Sequence, residues 1–337
     1  MKAVAYNTPG PIDREDSLQD INLDKPEARG RDLLVKVAAV SVNPVDAKVR
    51  AGRDPVDGEW GVLGYDAVGI VEAAGPEVES FQPGDAVFYA GSIARQGTNS
   101  EFHLVDERIV GRKPKSLSDA EAAALPLTAI TAWEMLFDRL DVHHATADGG
   151  DCILVVGGAG GVGSIAIQLL RALTDLTVIA TASRPETQRW VQECGAHHVI
   201  DHRQSLAPQA AALEIGAPGF VFSTTQTHQH LESIAELIAP QGRFGLIDDP
   251  VDLSIMPFKQ KSVSIHWEFM FARPVFATPD MNKQGELLNQ VAELVDAGKI
   301  RSTLTKVAGT IDAATLKKAH AEIESGTAHG KIVLEGF

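Results

Sequence analysis

The amino-acid sequence predicts an α/β protein in which a β-rich domain is joined to a parallel sheet with helices on both faces. Three observations predict it: a glycine-rich turn between an apolar strand and an apolar helix, a series of short β-type segments in residues 1–125, and alternating strand and helix patterns after residue 126. The chain has 337 residues, enough for two domains of about 100–200 residues each.

The glycine-rich turn lies in residues 151–173, DCILVVGGAGGVGSIAIQLLRAL. An apolar β-branched run precedes it and a helix-period segment follows, which is the context of a dinucleotide site. Glycines there allow a tight turn and close approach of the backbone to a pyrophosphate, and the free N–H groups of the helix bind phosphate. The predicted contacts are Gly158, Gly160, Gly161, Val162 and Gly163. A glycine turn without a ligand is the alternative.

The β-rich segment covers residues 1–125, and its turns are rich in Gly, Pro and Asp. The predicted strands are residues 33–42, 67–75, 85–91 and 100–106. Short strands at this spacing are typical of an all-β, barrel-like domain. Ser118 followed by Glu121 is a capping box, which predicts a helix over residues 119–125.

Strands and helices alternate in the second predicted domain, residues 126–272. The predicted strands are residues 153–156, 176–181, 197–201, 219–225, 241–248 and 261–269, with helices between several of them. This alternation is typical of a doubly wound parallel sheet. Residues 273–337 contain two further helices, 286–297 and 313–323, and two strands, 303–307 and 331–334. We expect this last segment to return to the first domain.

Composition excludes several classes of partner. The net charge is −15, which disfavours non-specific binding to nucleic acid or to an anionic membrane. No window approaches the roughly 18 apolar residues of a membrane span, and the N-terminus lacks a signal-type core. The two cysteines, Cys152 and Cys194, imply no disulfide framework and suit a reducing, cytoplasmic location.

The cofactor preference is predicted from the end of the second strand of the parallel sheet. Sheets that bind NAD place an acid about 20 residues past the glycines, where it contacts the ribose 2′-hydroxyl. Here Ser183 and Arg184 stand at that point, and a hydroxyl with a guanidinium favours a 2′-phosphate. We therefore predict NADPH, with His202 and Arg203 at the next strand end lining the same pocket. A solvated surface Arg184 is the alternative.

A metal site is not predicted. None of the eleven histidines combines with Cys or carboxylates at a zinc-binding spacing.

Segments spread over the whole chain resemble the medium-chain dehydrogenase/reductase superfamily. They are residues 41–52, 62–75, 81–87, 124–136, 157–163 and 329–334. Residues 261–281 are similar to the zinc-type alcohol dehydrogenase-like subgroup, close to the quinone oxidoreductases. The resemblance implies a GroES-like β domain interrupted by a Rossmann domain, with the active site in the cleft between them. It also implies a homodimer, which the apolar strand at residues 262–270 would form by edge pairing.

The chain departs from this family at the zinc ligands. Zinc alcohol dehydrogenases have the motif C-x-x-D where this chain has Asn43-Pro44-Val45-Asp46, and G-H-E where it has Gly64-Tyr65-Asp66. The third ligand aligns near Leu127, and residues 91–101 lack the cysteines of the structural-zinc lobe. Amide, phenol and alkyl groups do not replace thiolate and imidazole, so we predict no metal.

Without zinc, the resemblance implies hydride delivery to a quinone or an α,β-unsaturated carbonyl, whose conjugation carries the developing charge. The catalytic candidates replace the zinc ligands. Asn43 would donate a hydrogen bond to the enolate oxygen, Tyr65 would donate a hydrogen bond or a proton, and Asp46 would orient them or bind cofactor or substrate. The alternatives are a turn at Asn43-Pro44, a packed wall aromatic at Tyr65, and protonation by solvent.

Further cofactor contacts are implied by the resemblance. Thr128 and Thr131 would contact the nicotinamide or its ribose, Ile247 and Asp248 lie at a strand end where ligands bind, and Phe269, Met270 and Phe271 would form an apolar wall. Lys331 would reach the cofactor region. A core stripe for the three apolar residues and a surface position for Lys331 are the alternatives.

The sequence therefore predicts an NADPH-dependent, zinc-independent reductase of quinones or enones. A carbonyl or alcohol oxidoreductase and a non-catalytic NADPH-binding redox sensor are the alternatives.

Overall fold

The computed structural model describes residues 1–55, 59–146 and 150–337, and the chain forms two compact units. The first unit joins Met1–Ile130 to Phe271–Phe337, and the second is Thr131–Met270. These boundaries lie at most five residues from the predicted ones. Within the described ranges, no helix has the length and apolar character that crossing a membrane requires.

The described residues of the N-terminal part of the first unit form eight strands and the first helices. The strands are β1 (Lys2–Tyr6), β2 (Gln19–Asn22), β3 (Asp32–Val42), β4 (Gly61–Val62), β5 (Ala67–Ala74), β6 (Ala86–Tyr89), β7 (Phe102–Asp106) and β8 (Val110–Arg112). A 3-10 turn, Glu107–Ile109, separates the last two. The helices are α1 (Pro44–Gly52) and α2 (Asp119–Ala123). Helix α3 (Pro126–Trp133) begins in this unit and ends in the second, where a π-helical segment, Glu134–Arg139, continues it. All four predicted strands are confirmed, and Ser118 and Glu121 form the predicted capping box.

After α3, the described residues of the second unit form six strands and four α-helices. The strands are β9 (Cys152–Val156), β10 (Thr177–Thr181), β11 (His198–Ile200), β12 (Phe220–Ser223), β13 (Arg243–Leu246) and β14 (Ser264–Trp267). The helices are α4 (Gly161–Leu173), α5 (Pro185–Glu193), α6 (Leu206–Ala211) and α7 (Thr227–Leu237), and a 3-10 helix spans Met256–Lys261.

The C-terminal part belongs to the first unit. Its helices are α8 (Ala272–Phe276), α9 (Lys283–Asp296) and α10 (Ala313–Glu324), and its strands are β15 (Leu304–Gly309) and β16 (Lys331–Glu335). Strand β16 pairs antiparallel with β3, so the end of the chain joins the sheet formed near its beginning.

Strand β3 is the centre of the sheet in the first unit. The path of that sheet is β15-β16-β3-β5-β6-β8, and β7 also pairs with β3. The first half of β3 faces β7 and the second half faces β16, while β5 runs along its other side. The apolar run of β3 is thereby buried almost throughout. Ser41, near the end of β3, and Asn43, just after it, are both buried.

The sheet of the second unit has the order β11-β10-β9-β12-β13-β14, with every pair parallel. This is the order 3-2-1-4-5-6 of doubly wound sheets, in which ligands bind outside the carboxyl ends of the strands where the order reverses. The β-branched run of β9 is buried at all five positions because both of its faces are covered. The predicted doubly wound parallel sheet is confirmed.

Helix α1 is the main element that the sequence analysis missed. Asn43-Pro44 was weighed as a turn, but Asn43 is the N-cap of this helix and Pro44 its first residue. Proline suits that position because its missing N–H would have no intrahelical partner. The helix has few apolar residues, so its periodicity is weak.

His103 in the first unit is buried and makes two hydrogen bonds. Its Nε2 lies 2.9 Å from the Gln96 carbonyl oxygen, and its Nδ1 lies 3.1 Å from the Tyr89 hydroxyl. A carbonyl only accepts, so Nε2 donates to Gln96 and Nδ1 accepts from Tyr89. Burial lowers the pKa of His103 to about 4, which keeps the imidazole neutral at neutral pH.

We expect His103 to make the fold sensitive to acid. Between pH 6.5 and about 4 the unfolded chain protonates this histidine and the folded chain does not. Over this range, the free energy of unfolding falls by about 1.4 kcal/mol for each unit by which the pH is lowered, from this group alone. Urea unfolding across this range should show a shallower dependence in His103→Gln, whereas the exposed-site control His228→Gln should follow the wild type. Equal slopes for the wild type and His103→Gln would contradict the assignment.

Candidate active site

A buried carboxylate, Asp66, organises the polar interior of the first unit. Its Oδ2 accepts hydrogen bonds from Ser41 Oγ at 2.7 Å, Asn43 Nδ2 at 2.7 Å and Lys331 Nζ at 3.1 Å. Its Oδ1 accepts from the backbone N–H of Leu127 at 2.7 Å. We call Ser41, Asn43, Asp66 and Lys331 the Asp66 cluster. Each of its members is at most 3% exposed.

The ammonium group of Lys331 donates three hydrogen bonds in and beside this cluster. It donates to the Val42 carbonyl oxygen at 3.1 Å, to Asp66 Oδ2 at 3.1 Å and to Asn43 Oδ1. Strand pairing brings it there, because Ile332 of β16 lies opposite Val42 of β3. Lys331 is therefore not a surface side chain, and its three donors hold a carboxylate, an amide and the end of β3.

Asp46 links the start of α1 to the loop before β5. Its Oδ2 accepts from the Asn43 N–H at 2.7 Å, and its Oδ1 accepts from the Gly64 N–H at 2.9 Å. Burial raises its pKa to about 7, against the opposing effects of these two N–H groups and of Lys331. Both carboxylate oxygens are engaged by backbone, so Asp46 orients Asn43 and Gly64.

Tyr65 follows a glycine that the local backbone requires. Gly64 has φ +107°, and a Cβ there would lie 2.5 Å from Thr98 Oγ1. Tyr65 is 3% exposed, and its ring packs edge-to-face on the Phe271 ring, with centroids 5.3 Å apart. Burial, with a smaller contribution from Asp46, raises the pKa of the phenol. The phenol therefore keeps its proton and is suited to donate a hydrogen bond.

The glycine turn of the second unit has the geometry of a phosphate-binding turn. A Cβ on Gly163 would lie 2.4 Å from the Gly157 carbonyl oxygen, so α4 approaches the turn closely. Gly160 is the N-cap of α4, and the first bond within the helix runs from the Ser164 N–H to Gly160. The preceding N–H groups belong to Gly161, Val162 and Gly163. They lie at the helix terminus, where anions bind.

One glycine of this turn, Gly157, was not among the residues predicted from sequence. Gly157 has φ +78°, and a Cβ there would lie 2.4 Å from Thr224 Oγ1. Gly158, with which the predicted set begins, instead donates from its N–H to the Thr181 carbonyl oxygen at 3.1 Å. The sequence feature that could have indicated Gly157 is the glycine pair Gly157-Gly158 at the start of GGAGGVG.

The end of β10 carries the residues predicted to select NADPH. Ser183 and Arg184 are partly exposed, and Arg184 Nε lies 3.0 Å from Glu186 Oε1. His202 Nδ1 lies 3.3 Å from Thr181 Oγ1. Burial lowers the pKa of His202, and Arg203 and Arg184 lower it further, whereas Asp201 acts in the opposite direction. The positive charges of both arginines therefore act on the His202 imidazole.

The remaining predicted cofactor residues differ in their surroundings. Asp248 follows β13 and accepts from the Thr227 N–H at 2.8 Å and from the Thr227 hydroxyl, so its carboxylate holds the start of α7. Ile247, beside it, is partly buried. Thr128 donates to the Leu125 carbonyl oxygen at 3.0 Å, and Thr131 is also buried.

The predicted apolar wall divides between the two units. Phe269 is 51% exposed in the second unit, whereas Phe271 is buried against Tyr65 in the first. Met270 is buried. The alternative interpretation, that these three residues are core residues, therefore holds for Met270 and Phe271 but not for Phe269.

Comparison with known families defines the class of protein. Residues 29–115 match the alcohol dehydrogenase GroES-like domain, and residues 194–334 match the zinc-binding dehydrogenase family. The fold is therefore the predicted pairing of a GroES-like domain with a Rossmann-type sheet, and the chain is an oxidoreductase by family.

Similarity to individual proteins is extensive. The chain is 40% identical over 338 residues to the zinc-type alcohol dehydrogenase-like protein SAS2087 of Staphylococcus aureus, covering 99% of each. It belongs to the zinc-type alcohol dehydrogenase-like family of the medium-chain dehydrogenase/reductase superfamily, as the resemblance implied.

Two solved structures share the fold over nearly the whole length of this chain. A candidate zinc-dependent alcohol dehydrogenase from Rhizobium etli CFN 42 has a TM-score of 0.98 and 66% identity, with coverage of 100% of this chain and 98% of the other. The quinone oxidoreductase of Pseudomonas syringae pv. Tomato DC3000 has a TM-score of 0.83 and 26% identity, with 99% of each chain covered.

Zinc, which the family names imply, does not fit the residues at the ligand positions. Both polar atoms of Asn43 are hydrogen-bonded within the Asp66 cluster, and one of them contacts the Lys331 ammonium. Tyr65 keeps its proton, and Leu127 offers only an alkyl side chain. Across the described ranges, no group of three or more His, Cys, Asp or Glu side chains is arranged to hold a metal. A buried ammonium beside these positions would also repel a divalent cation.

Proposed function

We propose that the protein is an NADPH-dependent, zinc-independent reductase that transfers hydride to a quinone or an α,β-unsaturated carbonyl compound. The observation that carries this proposal is the Asp66 cluster. The family's metal-ligand positions are part of, or adjacent to, a hydrogen-bonded network closed by Lys331. Such a site favours acceptors that carry their own electron sink, since these do not need a Lewis acid to take the developing charge. The likeness to a quinone oxidoreductase supports the same class of acceptor.

The glycine turn is suited to hold the cofactor. The close approach of Gly163 to Gly157 leaves no room for a side chain. The N–H groups at the start of α4 would face the pyrophosphate in this proposal. Ser183 and Arg184 would bind the 2′-phosphate, with His202 beside them. When bound, NADPH supplies the hydride.

The first unit supplies a donor for the acceptor oxygen. In this proposal Tyr65 donates its O–H to the enolate oxygen that forms as the β-carbon takes the hydride. Its raised pKa favours a hydrogen-bond donor that keeps its proton, so the proton that reaches the α-carbon comes from solvent. Asn43 acts indirectly, because its side chain is committed to Asp66 and Lys331.

The proposal is tested by NADPH oxidation after chelator dialysis, with metal content measured on the same sample. The acceptor panel contains quinones, enones, aldehydes and, in the reverse direction, ethanol with NADP⁺. We expect turnover of quinones or enones by metal-free protein. Activity confined to aldehydes or ethanol would overturn the proposal in favour of a carbonyl or alcohol oxidoreductase. NADPH binding without any turnover would favour a redox sensor.

We also propose a homodimer formed through β14. This strand is at the edge of the six-stranded sheet, and its Trp267 is 55% exposed. An apolar edge strand favours pairing with a second copy. Light scattering should give twice the 35.9 kDa mass of one chain, and Trp267→Lys should shift the protein towards the monomer. A single-chain mass for the wild type would contradict this prediction.

A further inference from the structure

Two arginines stand near the position proposed for the 2′-phosphate, and each is held by an acid two residues away. Arg184 Nε lies 3.0 Å from Glu186 Oε1. Arg203 Nη2 lies 2.6 Å from Asp201 Oδ2, and its Nε lies 3.1 Å from both oxygens of that carboxylate. The four formal charges add to zero, so this group of side chains has no net charge to offer a phosphate.

Local backbone geometry fixes both acids beside their arginines. Pro185 begins α5, and the Arg184 N–H donates to Thr187 Oγ1 at 3.2 Å, which places Glu186 in the first helical turn. The Arg203 N–H donates to Asp201 Oδ1 at 2.9 Å, which closes a tight turn after β11. The acids therefore stay close to the arginines whatever binds there.

The two pairs follow the ends of adjacent parallel strands, because Thr181 of β10 lies opposite Ile200 of β11. His202, next to Arg203, lies at the same strand ends. Its imidazole is partly buried against Thr181, and its pKa is lowered by burial and by the charges of Arg203 and Arg184. Asp201 acts on the same imidazole in the opposite sense. A dianionic group bound here would meet two arginines and two carboxylates together.

We propose that Glu186 and Asp201 set the ratio of NADPH to NADH affinity by competing with the 2′-phosphate for Arg184 and Arg203. This inference rests on the proposed NADPH preference. A phosphate gains a charge-assisted contact with each guanidinium only when the carboxylate yields it. It is also repelled by the displaced carboxylate, which the short connection keeps nearby. The acids thus weaken NADPH binding and leave NADH, which lacks the phosphate, unaffected.

The expected effects follow from the exposure of these pairs. Both ion pairs are partly exposed to solvent and therefore weak, so the expected changes in affinity are only a few fold. We expect Glu186→Gln and Asp201→Asn each to lower the Kd for NADPH about two- to fivefold, and the double variant about tenfold. The Kd for NADH should stay unchanged. Asn at position 201 keeps an oxygen for the Arg203 N–H, so the turn is preserved.

The experiment is titration of the full chain with NADPH and NADH, monitored by cofactor fluorescence. Glu193→Gln is the matched control, because it removes an acid at the far end of α5, about 10 Å along the helix from Glu186. It should change neither Kd, and thermal unfolding should show that all variants fold. A wild type that binds NADPH no more tightly than NADH would overturn the proposed cofactor. A wild type that prefers NADPH, with an unchanged ratio in Glu186→Gln and Asp201→Asn, would overturn the role of these two acids alone.

Discussion

Replacement of Lys331 by methionine is expected to lower the free energy of unfolding by about 3–5 kcal/mol, the cost of removing one partner from a buried ion pair. Asp66 is fully buried, and Lys331 is its only cationic partner among the described residues. Loss of the ammonium leaves a carboxylate with three neutral donors and frees two acceptors, the Val42 carbonyl and Asn43 Oδ1. Urea unfolding of wild type and variant measures the effect.

Two further variants separate the ion pair from general damage. Lys306→Met removes a lysine of the neighbouring strand β15, whose pair with Glu322 is largely exposed, and should cost at most about 1 kcal/mol. Asp66→Asn combined with Lys331→Met should cost clearly less than the sum of the single changes, because the two side chains interact directly. Additive losses would contradict the account of the Asp66 cluster.

Replacement of Tyr65 by phenylalanine is expected to lower kcat for enone reduction about 100-fold, the typical cost of losing one donor to an oxyanion. The edge-to-face contact with Phe271 needs only the ring, so the variant should fold normally. Quinone reduction should fall less, because a hydroquinone anion spreads its charge over an aromatic ring. Steady-state rates with one enone and one quinone measure both effects.

The control for this variant is Tyr89→Phe. Tyr89 is also buried and hydrogen-bonded, but its hydroxyl contacts His103. Its removal should affect stability and leave the ratio of enone to quinone turnover unchanged. Equal losses with both acceptors in Tyr65→Phe, or no loss, would contradict the role of the Tyr65 hydroxyl.

The parts of the fold that depend on local patterns could be predicted from sequence. The glycine turn has its strand, its helix and its spacing within about 20 consecutive residues, and the alternation of strands and helices predicted a doubly wound parallel sheet. The capping box of α2 is equally local. Helix α1 was missed because an Asn-Pro pair suits both a turn and a helix start.

The Asp66 cluster could not be predicted in the same way, because its members are far apart in the chain. Lys331 is 265 residues from Asp66 and 288 from Asn43. The pairing of β16 with β3 brings Lys331 to Asn43, and the pairing of β5 with β3 brings Asp66 to the same end of β3. Neither pairing has a local sequence signal. Ser41 and Asp66 were therefore absent from the predicted site residues, and Lys331 was assigned by resemblance alone.

Charge partners were the other feature that sequence reasoning missed. Arg184 was predicted to bind a 2′-phosphate, and its ion pair with Glu186 was not anticipated. The acid is only two residues away, but its reach across Pro185 depends on the backbone conformation at the start of α5. The same holds for Asp248, whose position after β13 was predicted and whose bond to Thr227 was not.

The measurement that tests the central claim most directly is the fate of deuterium from NADPH labelled at C4. Metal-free protein is incubated with an enone and with the 4R- or the 4S-deuterated cofactor in separate reactions, and the product is analysed by mass spectrometry and NMR. The account predicts one deuterium at the β-carbon from one of the two cofactors, and a proton from solvent at the α-carbon. A product without deuterium from either cofactor, or labelled product only after zinc is added, would contradict zinc-independent hydride transfer.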